Sequence, residues 1–297
     1  MAGEILSVGE VLWDSLPDGL FLGGAPFNVA CHLHALGEPV AFASRVGDDE
    51  LGREILRRME RQGLDPGLIQ VDRELETGFV VVKLDAKGSP TFQILEPSAW
   101  DAMEPAAPLL EAARTARALV HGSLALRRPA TRDTLRRIFE TGVPRAFDVN
   151  LRPPFVDRAI VEECLKGARI VKLNDQEWTV LSGWFGLSGD LRRGSEALAA
   201  RFGIETVCIT RGAAGAALRH RGGWHEHPGF RVHAVDAVGS GDAFLAALLS
   251  GLLRGKDPAL VLEEANALGA FVATRRGATP PSDPGEVAKI RGAAARP

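Results

Sequence analysis

The sequence predicts an α/β protein: a mainly parallel sheet covered by helices on both faces, with a small separate β-sheet. Three observations carry that expectation. From about residue 105 onward, short apolar strand patterns alternate with helical ones, which indicates a parallel sheet covered on both faces. The chain starts on an apolar strand pattern that leads, through an irregular stretch, to a glycine turn and a helix. Residues 77–96 interrupt this order with a hairpin pattern.

Taken in order, Ile5-Leu6-Ser7-Val8-Gly9 reads as a buried strand. Residues 11–22 hold two short extended pieces around the turn Pro17-Asp18-Gly19. Gly23-Gly24-Ala25-Pro26 opens a helix that runs through Leu36 and closes at Gly37. Val40 to Ser44 is strand-like, and Asp48 to Gln62 is an amphipathic helix ended by Gly63. Residues 79–84 and 91–95 flank Asp85 to Pro90 as a hairpin, which can join the 11–22 pair in a separate sheet. The expected division is therefore a core of residues 1–10, 23–76 and 97–297, with a small separate sheet of 11–22 and 77–96.

Further strands are expected at 118–121, 145–148, 170–173 and 206–210, with helices at 129–141, 157–167, 175–182 and 190–203. A late hairpin pairs 216–219 with 223–227. A β-like stretch from Phe230 to Val235 then precedes two helices, 241–254 and 258–275, and only the tail after Arg291 looks loose.

Bulk properties narrow the function. The 297 residues are 45% hydrophobic and 25% charged, with a net charge of −3, and offer no basic face for nucleic acid. No apolar run is long enough to span a bilayer, and the N-terminus has no signal-peptide pattern. Cys31, Cys164 and Cys208 are odd in number and lie in apolar contexts, as expected of buried thiols in a reducing cytoplasm.

The most informative segment is Asp236 to Phe244. Gly239 and Gly241 permit a sharp turn and close approach to a ligand. The helix behind them presents unpaired amides and a positive dipole end, an anion site. Asp242 inside that turn suits removal of a proton from a hydroxyl that attacks a phosphate. The same residues also fit a capped helix with dipole compensation. The spacing matches the dinucleotide fingerprint only in part, and no P-loop is present.

Other polar groups follow expected strands: Asp14, Asp148, Asn150, Asn174, Glu177, Thr210 and Gly212. Ligands of open α/β sheets bind at the carboxyl ends of strands, so these groups are expected to share one crevice. Asn174-x-x-Glu177 also reads as a capping box, and Thr210-Arg211-Gly212-Ala213-Ala214-Gly215 also reads as a plain strand connection. Bare backbone at Gly23 and Gly24 lets a sugar lie close, with Asn28 and Asp14 as partners for its hydroxyls; helix initiation is the simpler reading. His32 and His34 face different ways on a helix, and His225 and His227 share a strand face without a third ligand, so neither pair makes a metal site.

In this order the pieces resemble the ribokinase-like (PfkB) sugar kinase family over nearly the whole chain. The carrying motifs are Gly23 to Ala30 and Asp236 to Phe244. Within the family, Gly9-Glu10-Val11-Leu12-Trp13-Asp14, Glu96 to Asp101 and Phe147 to Pro154 look most like bacterial fructokinases. The resemblance implies a Rossmann-like, three-layer α/β/α core with a small β-sheet lid over the sugar, matched by 11–22 and 77–96, and an ATP- and Mg²⁺-dependent kinase. Asp242 would be its catalytic base, with Gly239, Ser240 and Gly241 as the anion hole. Asp14, Gly23, Gly24, Asn28 and Arg152 would lie near sugar. Asn174, Thr210, Gly212, Gly215 and Asn266 would lie near ATP, and Glu177 would serve Mg²⁺ through water. The family also implies a monovalent-cation site, such as one for K⁺, near Asp236, Val238, Arg276 and Gly277.

Two residues depart from the family pattern. Ala237 stands where a Thr is usual, which weighs against the cation site, and Ser240 stands where Ala is usual. An anion hole built of backbone amides tolerates both. Fructose is the expected substrate; ribose, 2-keto-3-deoxygluconate or a nucleoside, or a sugar-sensing role with weak catalysis, are the alternatives. Lys83 and Lys87 are the only cations of the lid hairpin, a sparse pocket for a phosphosugar. Phe79 and Phe92 would either pair with a second copy's lid in a homodimer or face the sugar.

Overall fold

The structure, a computed structural model, describes residues 3–16, 19–84 and 90–293. Strands β1 (Ile5–Val8), β2 (Leu12–Leu16) and β3 (Gly19–Gly23) lead into helix α1 (Ala25–Ala35). Strand β4 (Val40–Gly47), helix α2 (Glu50–Arg61) and strands β5 (Ile69–Asp72), β6 (Gly78–Leu84) and β7 (Pro90–Ile94) follow. Next come α3 (Ala107–Thr115), β8 (Ala118–Gly122), α4 (Pro129–Phe139), β9 (Arg145–Asp148), α5 (Arg158–Leu165) and β10 (Ala168–Asn174). The remainder is α6 (Asp175–Phe185), α7 (Leu191–Phe202), β11 (Thr206–Thr210), β12 (Ala216–His220), β13 (Gly223–His227), α8 (Ser240–Leu253), α9 (Pro258–Ala273) and α10 (Pro284–Gly292).

The main sheet has the order β13-β12-β11-β10-β9-β8-β1-β4-β5. Its strands pair in parallel from β11 to β5; β12 alone is reversed, pairing antiparallel with β11 on one side and β13 on the other. Alternation along each strand feeds two separate cores. Leu119, Phe147, Val171 and Ile209 pack under α4 to α7, while Val120, Ala146 and Cys208 pack under α1, α8 and α9. These are the three layers the strand–helix alternation predicts. β1 sits between β4 and β8, so the chain departs from it in both directions, and this switch point opens a crevice at the strands' carboxyl ends.

Helix α8 is buried on every side from Ala243 to Gly251, which explains its uniformly apolar sequence. It packs between α1 and α9, with Val29, Leu33, Val261, Leu262 and Ala265 in its cluster.

The two extended pieces and the hairpin pair as a four-stranded sheet of order β3-β2-β6-β7, separate from the main one. Trp13, Leu22 and Phe79 of this sheet join Phe27, Phe42, Ile55 and Met59 in a third cluster. Phe79 is thus half-buried against the core and not an exposed lid residue; the side chain of Phe92 and the turn residues 17–18 and 85–89, Lys87 among them, lie outside the described residues.

Some elements differ from expectation. Phe230 to Val235 is not a strand; Val235 donates instead to the carbonyl of Ala273 at the end of α9, and only Phe230 makes a bridge. Helix α6 continues to Phe185, three residues past the expected end, because Leu181 and Phe185 both reach the core. Strand β5 and helices α3 and α10 carry patterns too short or too mixed to read. Cys164 and Cys208 are buried, whereas Cys31 is half-buried and donates to Gln62 Oε1 at 3.3 Å.

Candidate active site

Two helix N-termini converge at the crevice. α1 starts after Gly24, whose φ is 111°, and α8 starts after Gly239, whose φ is 77°. Both angles lie where side chains are strained, and a Cβ on Gly24 would fall 2.4 Å from the Glu10 carbonyl oxygen. Neither N-cap supplies a side-chain acceptor. The amides of Gly241 and Asp242 precede the first intrahelical acceptor and are left for another partner. The side chain of Ser240 turns back to the Ala237 carbonyl at 2.8 Å, so Ser240 contributes backbone to this turn.

Asp242, in the first turn of α8, faces Asn28, in the first turn of α1. The Asn28 side-chain amide donates to Asp242 Oδ2 at 2.8 Å, and Asn28 Oδ1 is buried without a partner. Burial raises the Asp242 pKa, while Lys172, the Asn28 hydrogen bond and Arg152 pull it back. The carboxylate is therefore held poor in solvent beside a phosphate-type cradle.

Lys172 went unnoticed in the sequence. It sits in β10 opposite Asp148 of β9 in the parallel register, and its Nζ lies 3.1 Å from both Asp148 oxygens. Burial opposes its charge, but Asp148, Asp242 and Glu177 hold its pKa above the ordinary lysine value. Burial raises the Asp148 pKa, and Lys172 pulls it back. A Cβ on Gly241 would lie 3.2 Å from this ammonium, so Lys172 stands directly behind the α8 turn.

Asn174 and Glu177 form the capping box: Glu177 N donates to Asn174 Oδ1 at 2.9 Å, and Asn174 N donates to Glu177 Oε2 at 2.8 Å. Glu177 Oε1 also accepts from Leu151 N at 2.8 Å, which ties α6 to the loop after β9. Burial and the nearby Asp148 raise the Glu177 pKa.

On the small sheet, Asp14 packs against Gly23, where a Cβ would fall 2.5 Å from Asp14 Oδ2. Burial pushes Asp14 to about 6, against the pull of Arg152. Glu10, also missed in the sequence, is buried with Oε2 unpartnered, and burial pushes it to about 7. Arg152 is exposed, and its charge acts on Glu10, Asp14, Asp148 and Asp242 together.

A cavity of about 460 Å³ lies elsewhere; the one beside Asp242 has about 320 Å³. Thr210, Gly212, Gly215 and Asn266 line the latter, with Ser240 and Gly241 at its end. The irregular residues Phe230, Val232 and Ala234 form part of its wall. Asn174 is not among its lining residues, and its Oδ1 is spent on the cap. Beyond it, Asp236 accepts from Val238 N at 3.0 Å and from Gly277 N at 3.2 Å, which joins the turn before α8 to the loop after α9. That loop is fastened further by His32 Nε2, which donates to the Ala278 carbonyl at 2.9 Å. Among the described residues, no group of three or more His, Cys, Asp or Glu side chains is arranged to hold a metal.

The pfkB family carbohydrate kinase pattern matches residues 19–284. The chain is 34% identical to a fructokinase of Klebsiella pneumoniae over 302 residues, covering 94% of this chain and 95% of that one. It is 30% identical to a fructokinase of Escherichia coli over 304 residues, covering 94% and 95%. The crystal structure of a fructokinase from Vibrio cholerae O395, in fructose-, ADP- and calcium-bound form, superposes with a TM-score of 0.82 at 27% identity, covering 97% and 99%. With its fold, its paired helix starts and the half-buried Asp242 between them, the chain belongs to the pfkB family of carbohydrate kinases and is a phosphotransferase with an alcohol group of a sugar as acceptor.

Proposed function

We propose that the protein transfers the γ-phosphoryl group of ATP to a primary hydroxyl of fructose, giving fructose 6-phosphate. The observation that carries this reading is the Asn28–Asp242 pair, seated where the two helix starts meet and next to the 320 Å³ cavity. The relatives named fructokinase support the choice of sugar.

In this reading the nucleotide occupies the cavity lined by Thr210, Gly212, Gly215 and Asn266, with its phosphates toward Ser240 and Gly241. Asn174, whose Oδ1 is held in its cap, would offer the phosphates its side-chain amide NH₂. The sugar lies against Gly23 and Gly24, with Asp14, the free Asn28 Oδ1 and Arg152 on its hydroxyls. Asp242 takes the proton of the attacking hydroxyl, and its raised pKa suits it to that task. The amides of the Gly239–Gly241 turn and Lys172 then face the charge that spreads over the moving phosphoryl group.

Glu177 fits Mg²⁺ only through water, since its two oxygens already accept backbone amides. Bound there, Mg²⁺ would neutralise phosphate charge. Asp236, Val238, Arg276 and Gly277 form the candidate K⁺ site; a K⁺-dependent rise in rate would support it. The four-stranded sheet acts as the lid over the sugar and excludes water, the competing acceptor. ADP release with a panel of sugars tests the reading: fructose should give the highest kcat/KM, and tight sugar binding without ADP release would favour a sensor instead.

A further inference from the structure

The 460 Å³ cavity lies at the opposite end of the main sheet from Asp242. Ala118, Arg145 and Thr206, which line it, are the first residues of β8, β9 and β11, whereas Asp148 and Thr210 are the last of β9 and β11. Its floor is apolar, built by Ala146 and Ile170 of the sheet and by Leu249, Leu252 and Leu253 of α8. Its rim carries Arg117, Arg145, Arg169, Arg221 and Lys256, with Glu205 as the one acid among the lining residues.

The carboxylates in reach do not match these cations. Glu205 serves both Arg169, at 2.6 Å, and Arg221, at 2.8 Å. Glu38 likewise serves both Arg117 and Arg254, and Arg117 Nε is buried without a partner. Only Lys256 has a neighbour, Glu264 at 2.7 Å, that it shares more loosely, with Arg291 at 3.5 Å. Arg145 bonds to the carbonyls of Lys166 and Gly167 and lies 4.2 Å over Phe139; among the described residues it has no ion pair. Burial lowers the pKa of the lining His220, which leaves it neutral.

Arg221 adds an independent sign. It occupies the two-residue turn between β12 and β13 with a φ of 48°, followed by Gly222 at 87°. Such turns favour Asn or Asp before Gly. An arginine at this position is strained, and the strain places a guanidinium on the cavity rim.

We propose that this cavity binds a small organic phosphate, with the phosphate among Arg145, Arg169 and Arg221 and the carbon skeleton on the Ile170–Leu249–Leu252 floor. Planar guanidinium forks match phosphate oxygens in pairs, and the volume falls within the usual range for small-molecule pockets. The two sites are separated by the length of α8, whose 14 residues span about 21 Å. A ligand here therefore binds together with nucleotide and does not displace it.

Phenyl phosphate and inorganic phosphate are the probes, titrated calorimetrically with the active site filled by Mg²⁺ and a non-hydrolysable ATP analogue. Both should bind saturably, phenyl phosphate more tightly, with a Kd on the order of 1 mM or below. Arg221→Asn suits the turn and should keep or raise Tm while weakening phenyl phosphate at least about fivefold. Arg169→Gln should weaken it similarly, and crystals soaked in the probe should show it at the Arg145–Arg221 rim. The proposal is overturned by no saturable binding up to about 10 mM, by unchanged affinity in both variants, by inorganic phosphate binding as tightly as phenyl phosphate, or by density only at the Ser240–Asp242 turn.

Discussion

The side-chain amide of Asn28 donates a 2.8 Å hydrogen bond to Oδ2 of Asp242, joining the first turns of α1 and α8 across 214 residues of sequence. The bond fixes the carboxylate's orientation and favours its charged form, and it leaves Asn28 Oδ1 without a partner, where the proposed function puts a sugar hydroxyl. Asn28→Asp replaces this donor with a second carboxylate that must share a proton with Asp242. The acid limb of the kcat–pH profile should move up by about one unit or more. Asn28→Ala should raise the KM for sugar without the same displacement. Rate profiles of both variants check the pair.

Lys172 is the counter-charge for Asp148, Asp242 and Glu177. Lys172→Met leaves those carboxylates buried and uncompensated, with an expected stability loss of about 3–5 kcal/mol. Adding Asp148→Leu to that variant should restore much of the stability, since the worst unpaired charge is then gone. It should not restore turnover, because the phosphate-facing ammonium is still missing. Denaturation midpoints and kcat of the single and double variants separate the two roles.

Burial pushes Glu10 from the ordinary value of 4.5 up to about 7. A carboxyl raised in the folded state binds more protons there than in the unfolded chain. Its contribution to stability is therefore present at low pH and is lost as pH climbs through that window. Glu10→Gln, which mimics the protonated form, should flatten this part of the Tm–pH curve and raise Tm by a few degrees at pH 8. Thermal melts of both proteins between pH 4.5 and 8 provide the check.

Much of this site is legible in the sequence because glycine turns announce themselves. Gly23-Gly24 before α1 and Gly239–Gly241 before α8 each mark a helix start, and the strand ends at Asp148, Asn174 and Thr210 follow from apolar runs. Lys172 is hidden because its meaning depends on the β9–β10 register, which places it opposite Asp148. A lysine two residues before Asn174 otherwise reads as the polar position of a strand. Glu10 is hidden because nothing local shows that the fold buries it. Phe230 to Val235 has a strand's alternation, yet its backbone bonds to the end of α9, a choice made by tertiary neighbours and not by propensity.

Gly78 sets the root of the small sheet. A Cβ there would fall 2.6 Å from Trp100 Nε1 and 2.7 Å from the Val11 carbonyl oxygen. Gly78→Ala should push β6 from the core and destabilise by about 1–3 kcal/mol. If the small sheet is the lid, the variant should also lose sugar affinity more than nucleotide affinity. Calorimetric titration of each ligand distinguishes this from a uniform loss.

Asp242→Asn tests the assignment of the base most directly, because it keeps the shape of the site and removes only the proton acceptor. Pre-steady-state and steady-state turnover of fructose with Mg-ATP should fall by about a thousandfold or more. The Kd for sugar should stay within about threefold, and Tm should hold or rise, since a poorly solvated charge has been removed. Turnover near that of the unaltered protein would contradict Asp242 as the group that takes the proton.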